Sequence, residues 1–201
     1  MIFLHETAAL SPQLAVGLRS LIAGDELLWE LQESPRSAAG GSTYQLAQRS
    51  KGDSLRFELL ASLLRQRFGA LLCASTGRPV ERLHHLIPQV FPVRMLGNPL
   101  NPPHQLPHCD NHDFGGGPCV PKFTFVYYVE LRDCSGGELI LFDKSHSEFR
   151  RILPVQGDLV CISGDQLHAV ADLTSGVRTS LVLNLYEPQT QGCDRRLDNL
   201  T

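Results

Sequence analysis

The chain has 201 residues, a formal net charge of −3, 42% hydrophobic residues and 19% charged residues. This length and apolar content suit one globular unit that buries its core without disulfide or metal staples. A near-neutral balance with no Lys/Arg cluster argues against a nucleic-acid binder, and no apolar run approaches the roughly 18 residues of a membrane span.

Read from the N-terminus, MIFLHETAAL lacks the basic and apolar regions of a secretory signal. The six cysteines (Cys73, Cys109, Cys119, Cys134, Cys161, Cys193) are scattered, with no CxxC pair. They read as free thiols of a reducing compartment, and the expected location is the cytoplasm. SPQLAVGLRSLIAG (11–24) opens on a Ser-Pro start signal and closes on Gly24, which predicts a helix. Residues 35–53 form a turn-rich connection, after which Asp53 or Ser54 is placed to cap a long helix to about residue 75. In that helix Leu59, Leu60, Leu63, Leu64, Phe68, Leu71 and Leu72 recur at helical spacing as a broad apolar stripe. The stripe requires a sheet or another helix to cover it.

From about residue 90 the pattern turns to short β-rich runs at 90–96, 105–110, 122–131, 137–143, 158–163 and 178–188, separated by Gly, Pro and Asp. Strands without intervening helices predict an antiparallel sandwich, jelly roll or barrel. The expectation is an α+β single domain over 1–201: a mainly helical support segment (1–88), a β core (89–190) and a C-terminal tail (191–201). Alternate strand residues face opposite sides. Phe123, Phe125, Tyr127, Val129 and Leu131 make one apolar set, as do Thr179, Leu181, Leu183 and Leu185. The opposite sets include Thr124, Val126 and Tyr128, and Arg178, Ser180, Val182 and Asn184. Polar groups turned into a barrel cost several kcal/mol unless paired, so an inward mixed face implies something polar inside.

The chemistry-bearing residues begin with LPHCDN (106–111). On a strand, His108 and Asp110 share a face and could take adjacent positions on one metal; the alternative is a turn histidine beside a loop-capping aspartate. His168, about 60 residues on, is the best third ligand. Two histidines and one carboxylate leave positions open and favour non-haem Fe(II). Arg178 is either a surface residue at a strand start or a buried guanidinium in want of an anion. Its fork matches a carboxylate, with Ser180 adding a hydrogen bond.

Taken together, HCD (108–110), SGGEL (135–139), QGDLVCISGDQLHAV (156–170) and GVRTSLVL (176–183) resemble, in order, the signature of the Fe(II)/2-oxoglutarate-dependent oxygenases, nearest the prolyl-4-hydroxylase-like branch. The resemblance spans about Val90 to Tyr186. It implies a double-stranded β-helix (jelly roll) with the N-terminal helices packed on one sheet. It further implies iron held by His108, Asp110 and His168, and 2-oxoglutarate held by Arg178 with Ser180 and Tyr128. The implied activity is a hydroxylase that releases succinate and CO2, uses O2, and takes ascorbate as a candidate reductant. Its partner is a small-molecule or peptide substrate, with no nucleic acid and no membrane. Arg94, Asn184 and His112 are candidate substrate contacts. Met95 stands where the branch often has tyrosine, and the loop NHDFGGGPCVP (111–121) is long, so the branch does not disclose the substrate. Competing classes are a cupin-like metal-binding module, which has no need of Arg178, and a noncatalytic oxygen or 2-oxoglutarate sensor.

Overall fold

The structure, a computed structural model, describes residues 2–23, 29–31, 39–40, 43–46, 51–77, 81–113 and 118–188. Its elements in chain order are β1 (Ile2–Glu6), α1 (Pro12–Ala23), β2 (Trp29–Leu31), β3 (Ala39–Gly40), β4 (Thr43–Leu46), α2 (Lys51–Thr76), α3 (Glu81–His84) and β5 (Ile87–Leu96). The rest is strand: β6 (His104–His108), β7 (His112–Asp113), β8 (Pro118–Cys119), β9 (Phe123–Gly136), β10 (Leu139–Phe142), β11 (Glu148–Ile152), β12 (Leu159–Ser163), β13 (His168–Val170) and β14 (Leu173–Tyr186). Seven strands form one sheet in the order β1-β12-β9-β14-β5-β4-β2, and five form a second, β11-β10-β13-β6-β3. β7 and β8 pair as a short separate ribbon. The pairing is antiparallel throughout, and the two sheets face each other as a double-stranded β-helix, the expected jelly roll.

The alternation read from sequence sorts the central strands as far as Val129; beyond the register shift opposite Thr179 and Ser180, Leu131, expected with Phe123 and Phe125, packs with the opposite cluster. Phe123, Phe125, Tyr127, Leu181, Leu183 and Leu185 are buried in one cluster with Leu18 and Ile22 of α1 and Leu64, Phe68 and Leu72 of α2. The Phe68 ring lies 5.9 Å from Phe125 and 5.8 Å from Tyr127. Burial of this apolar area is the main force that clamps the helices to the sheet. Val126 and Tyr128, from the opposite face of β9, instead pack with Leu139, Leu141 and Ile152 of the second sheet. No helix among the described residues is long and apolar enough to cross a membrane.

Three expectations change. The N-terminal segment is less helical than expected: β1 pairs with β12 at the sheet edge, β4 and β2 extend the other edge beyond β5, and β3 pairs with β6. These strands are short, and β1, β3 and β4 find partners far along the chain, a tertiary effect that local patterning does not carry. Helix α2 begins at Lys51, so Asp53 and Ser54 lie within it and not before its start. The leucine stripe is narrower than its spacing suggested: Leu59 and Leu63 are 59% and 62% exposed, because the covered face is centred on Leu64, Phe68 and Leu72, with Leu60 and Leu71 partly buried beside it. The glycines at 115–117, the Trp29 side chain and the tail at 191–201 lie outside the described residues.

Candidate metal centre

Antiparallel pairing of β6 with β13 puts His108 directly across from His168, their ring centroids 4.4 Å apart. His108 ends its strand, so Asp110 lies beyond β6, and its placement comes from the loop and not from strand alternation. Its carboxylate nonetheless returns to the histidines: Oδ1 lies 3.8 Å from Nε2 of His108 and 3.8 Å from Nε2 of His168. One ligand atom from each residue falls within 4.8 Å of the others, close enough to hold a single ion.

The partners of these groups determine which atoms face inward. Nδ1 of His108 lies 2.7 Å from the Leu106 carbonyl, and Nδ1 of His168 lies 2.8 Å from the Gln166 carbonyl. A carbonyl only accepts, so both Nδ1 atoms carry the proton and both Nε2 lone pairs are left to the centre. Burial pushes His168 below its ordinary pKa; Asp110 opposes this and His108 adds to it. The low pKa favours the neutral, ligating imidazole. On Asp110, Oδ2 accepts a 2.7 Å hydrogen bond from the buried Thr124 hydroxyl of β9, leaving Oδ1 toward the histidines. The Cys109 thiol donates to the Asp165 carbonyl.

The cavity beside this cluster lies between the two sheets. His108, His168, Val170, Gln105 and Leu139 line it from one sheet, and Arg178, Ser180, Val182, Thr124, Val126 and Phe91 from the other. Gln105 and His108 are three apart yet line the same cavity. The register of β6 against β13 slips by one residue between them, and this bulge re-aims both side chains.

Arg178 is 2% exposed, and among the described residues no carboxylate pairs with it. Its Nη1 donates to Ser180 Oγ at 3.3 Å and lies 3.6 Å from Met95 Sδ, while Cζ sits 5.1 Å from the Tyr128 ring centroid. Arg178 Nε and Tyr128 Oη are both buried without a hydrogen-bond partner. Burial raises the Tyr128 phenol pKa, and the charge of Arg178 pulls it back. A buried cation with an idle N–H beside an idle phenol is a costly arrangement in an empty protein. A ligand carboxylate would satisfy both atoms. The His–Asp–His donor set likewise suits a divalent iron with open positions. The residues therefore fit both iron and 2-oxoglutarate.

Two supporting contacts were not found from sequence as site features. Thr124 was visible on the mixed face, but its reach to Asp110 crosses between sheets. Gly137, quoted in SGGEL without a role of its own, has φ +75°, and a Cβ there would sit 3.1 Å from Cδ of Arg178 and 3.1 Å from Cδ1 of Leu173. It makes room for the arginine stem. Among the candidate substrate contacts, Arg94 is a correction: β5 turns Val93 to the cavity, and Arg94 lies on the other face, where Nε donates to Thr179 Oγ1. Alternation with Val93 would have shown this. Asn184 is buried on the cavity face of β14, and the His112 side chain lies outside the described residues.

Comparison with known proteins agrees with this reading. Residues 100–186 match the family model of the 2OG-Fe(II) oxygenase superfamily. Among curated proteins none matches the chain. A 2OG-Fe(II) oxygenase family oxidoreductase from Burkholderia pseudomallei superposes with a TM-score of 0.65 at 19% identity, over 94% of this chain and 86% of that one. A Pseudomonas putida prolyl-4-hydroxylase gives 0.55 at 17% identity, over 92% of each chain. The α-ketoglutarate-dependent epimerase SnoN of nogalamycin biosynthesis gives 0.58 at 16% identity, over 92% of this chain and 78% of that one. At such identities these structures speak for the shared fold, and the family match covers residues 100–186, the stretch that carries the His–Asp–His group and Arg178.

Proposed function

We propose that this chain is a hydroxylase that holds Fe(II) through His108, Asp110 and His168 and 2-oxoglutarate through Arg178, Ser180 and Tyr128. Its substrate is an amino acid, a peptidyl residue or a related small molecule with an unactivated C–H, and its co-products are succinate and CO2. The observation that carries the reading is Arg178: a buried guanidinium without a carboxylate partner, in the cavity that also receives the His–Asp–His group. A cupin-like module has no use for such a residue. Iron with 2-oxoglutarate supplies the activation of O2.

The protein supplies placement. The Leu106 and Gln166 carbonyls hold both imidazoles in the Nδ1–H tautomer, and Thr124 occupies one Asp110 oxygen so that the other is free for the metal. Arg178 neutralises the distal carboxylate of the co-substrate, and Tyr128 Oη donates to it. Leu139, Val170 and Val126 line the passage between with hydrocarbon and limit water. Ascorbate as reductant belongs to the same proposal, and so does a cytoplasmic location, which the free thiols of the described cysteines support.

Anaerobic mixing of the protein with Fe(II) and 2-oxoglutarate is expected to produce a weak visible charge-transfer band. Asp110→Ala should abolish it, and Arg178→Ala should require a large excess of co-substrate. No band in the wild type, or a band at unchanged co-substrate demand in Arg178→Ala, would reject the assignment. Turnover then separates the outcomes: a +16 product identifies a hydroxylase, a product of unchanged mass an epimerase, and binding without succinate a sensor.

A further inference from the structure

Helix α1 carries a glycine in its middle, Gly17, although glycine is the poorest helix former after proline. A close approach by another element would account for it, but a Cβ placed there meets nothing within 4 Å. The open space above Gly17 belongs to a groove of about 210 Å³ between α1 and α2. Leu14, Leu18 and Leu21 wall it from α1, and Leu60, Leu63 and Leu64 from α2. Leu14 and Leu63 stand 56% and 62% exposed at its lips.

The groove has one charged end. Arg67 is the one charged residue among the described lining residues, and its Nε donates to the Ala9 carbonyl at 3.2 Å, just ahead of α1. That contact fixes the guanidinium where α1 begins, with Leu21 and Leu60 toward the far end. No carboxylate pairs with Arg67 among the described residues, and the first turn of α1 holds no acidic residue. Hydrocarbon along its length and an unpaired cation at one end match an amphipathic anion.

Size selects among such partners. A protein surface would need about 20–30 residues a side for a stable contact. Ten described residues line this groove, and Leu10, Leu18 and Leu64 among them are already buried. From Leu14 to Leu21 the helix rises about 10 Å. At about 30 Å³ for a group the size of a water or a methylene, the volume takes roughly seven of them. We propose that the groove is a second ligand site, apart from the cavity between the sheets, for a straight-chain aliphatic carboxylate of about six to eight carbons. The chain lies over Gly17 between Leu14, Leu21, Leu60 and Leu63, and the carboxylate meets the Arg67 guanidinium.

The test titrates the full chain by calorimetry with straight-chain carboxylates from butanoate to dodecanoate. Zn(II) and N-oxalylglycine, a non-reacting analogue of the co-substrate, are added to occupy the cavity between the sheets. Affinity should rise about twofold to fourfold per added methylene and level off near octanoate. Octanoate should bind about tenfold tighter than octan-1-ol, and Arg67→Met should erase that preference. Gly17→Leu fills the groove from a position with open space around it and favours the helix. It should weaken octanoate at least about tenfold while circular dichroism shows the fold intact. No octanoate bound at about 10 mM, octan-1-ol bound as tightly as octanoate, or Gly17→Leu without effect overturns the proposal. So does a wild-type chain that sediments as a dimer and a Gly17→Leu chain that sediments as a monomer, since the groove then belongs to a second copy.

Discussion

The two faces of the seven-stranded sheet are built from alternate residues of the same strands, yet they obey different rules. The helix-side face of β9 and β14 presents Phe123, Phe125, Tyr127, Leu181, Leu183 and Leu185, buried together and closed by α1 and α2. The cavity-side face presents Thr124, Tyr128, Arg178, Ser180 and Asn184, buried just as deeply, and three of their polar atoms lack a hydrogen-bond partner. One face gains stability from area removed from water. The other spends stability on polar groups held ready for ligands, a pattern expected where function overrides local consistency.

Substitutions on each face should therefore separate stability from binding. Phe68→Ala removes the ring that packs on Phe125 and Tyr127, and is expected to destabilise the fold by about 3–5 kcal/mol in chemical denaturation. The folded fraction should still bind metal and N-oxalylglycine. On the cavity face, Arg178→Met removes a buried cation that has no carboxylate partner. Folding stability should hold or rise, since an apolar replacement of similar volume relieves the burial of charge. N-oxalylglycine affinity should fall about a hundredfold with the loss of its charged partner. Equal losses of stability in both variants would erase the distinction between the faces.

A subtler effect is expected at Thr124, whose hydroxyl engages Asp110 Oδ2. Thr124→Val keeps the shape but frees that oxygen, so the carboxylate can turn. Second-layer partners of this kind are worth about 10- to 100-fold in metal affinity. Titration with Co(II) should show a loss in that range for Thr124→Val and recovery in Thr124→Ser. Unchanged affinity in Thr124→Val would make the contact a packing detail.

Legibility in the sequence follows the range of the forces involved. Alternation is local, and it separates Phe125 from Val126 and Leu181 from Ser180 in the sequence alone. The spacing of His108, Asp110, His168 and Arg178 was legible as a resemblance, and the structure brings all four to one cavity. What depended on distant partners was not legible. β1 exists because β12 offers it an edge, and Thr124 matters because a loop returns Asp110 to it. The bulge that swings Gln105 to the side of His108 breaks the very alternation used to read strands. Arg94 was misassigned for the opposite reason, since the same alternation, applied to Val93, places it outside.

The smallest expected effect tests the boundary of the apolar face itself. Leu63 and Leu64 are sequence neighbours of equal hydrophobicity, but a helix turns about 100° per residue and only one of them reaches the sheet. Leu64 is buried in the main core, whereas Leu63 is 62% exposed beside the shallow groove between α1 and α2. Leu64→Ala should cost about 2–5 kcal/mol. Leu63→Gln should change folding stability by less than about 0.5 kcal/mol, as an exposed substitution away from any cap or network does. Measured by urea denaturation, a loss of 2 kcal/mol or more at Leu63 would mean that the groove is covered in solution and that the apolar face extends past the line through Leu64, Phe68 and Leu72.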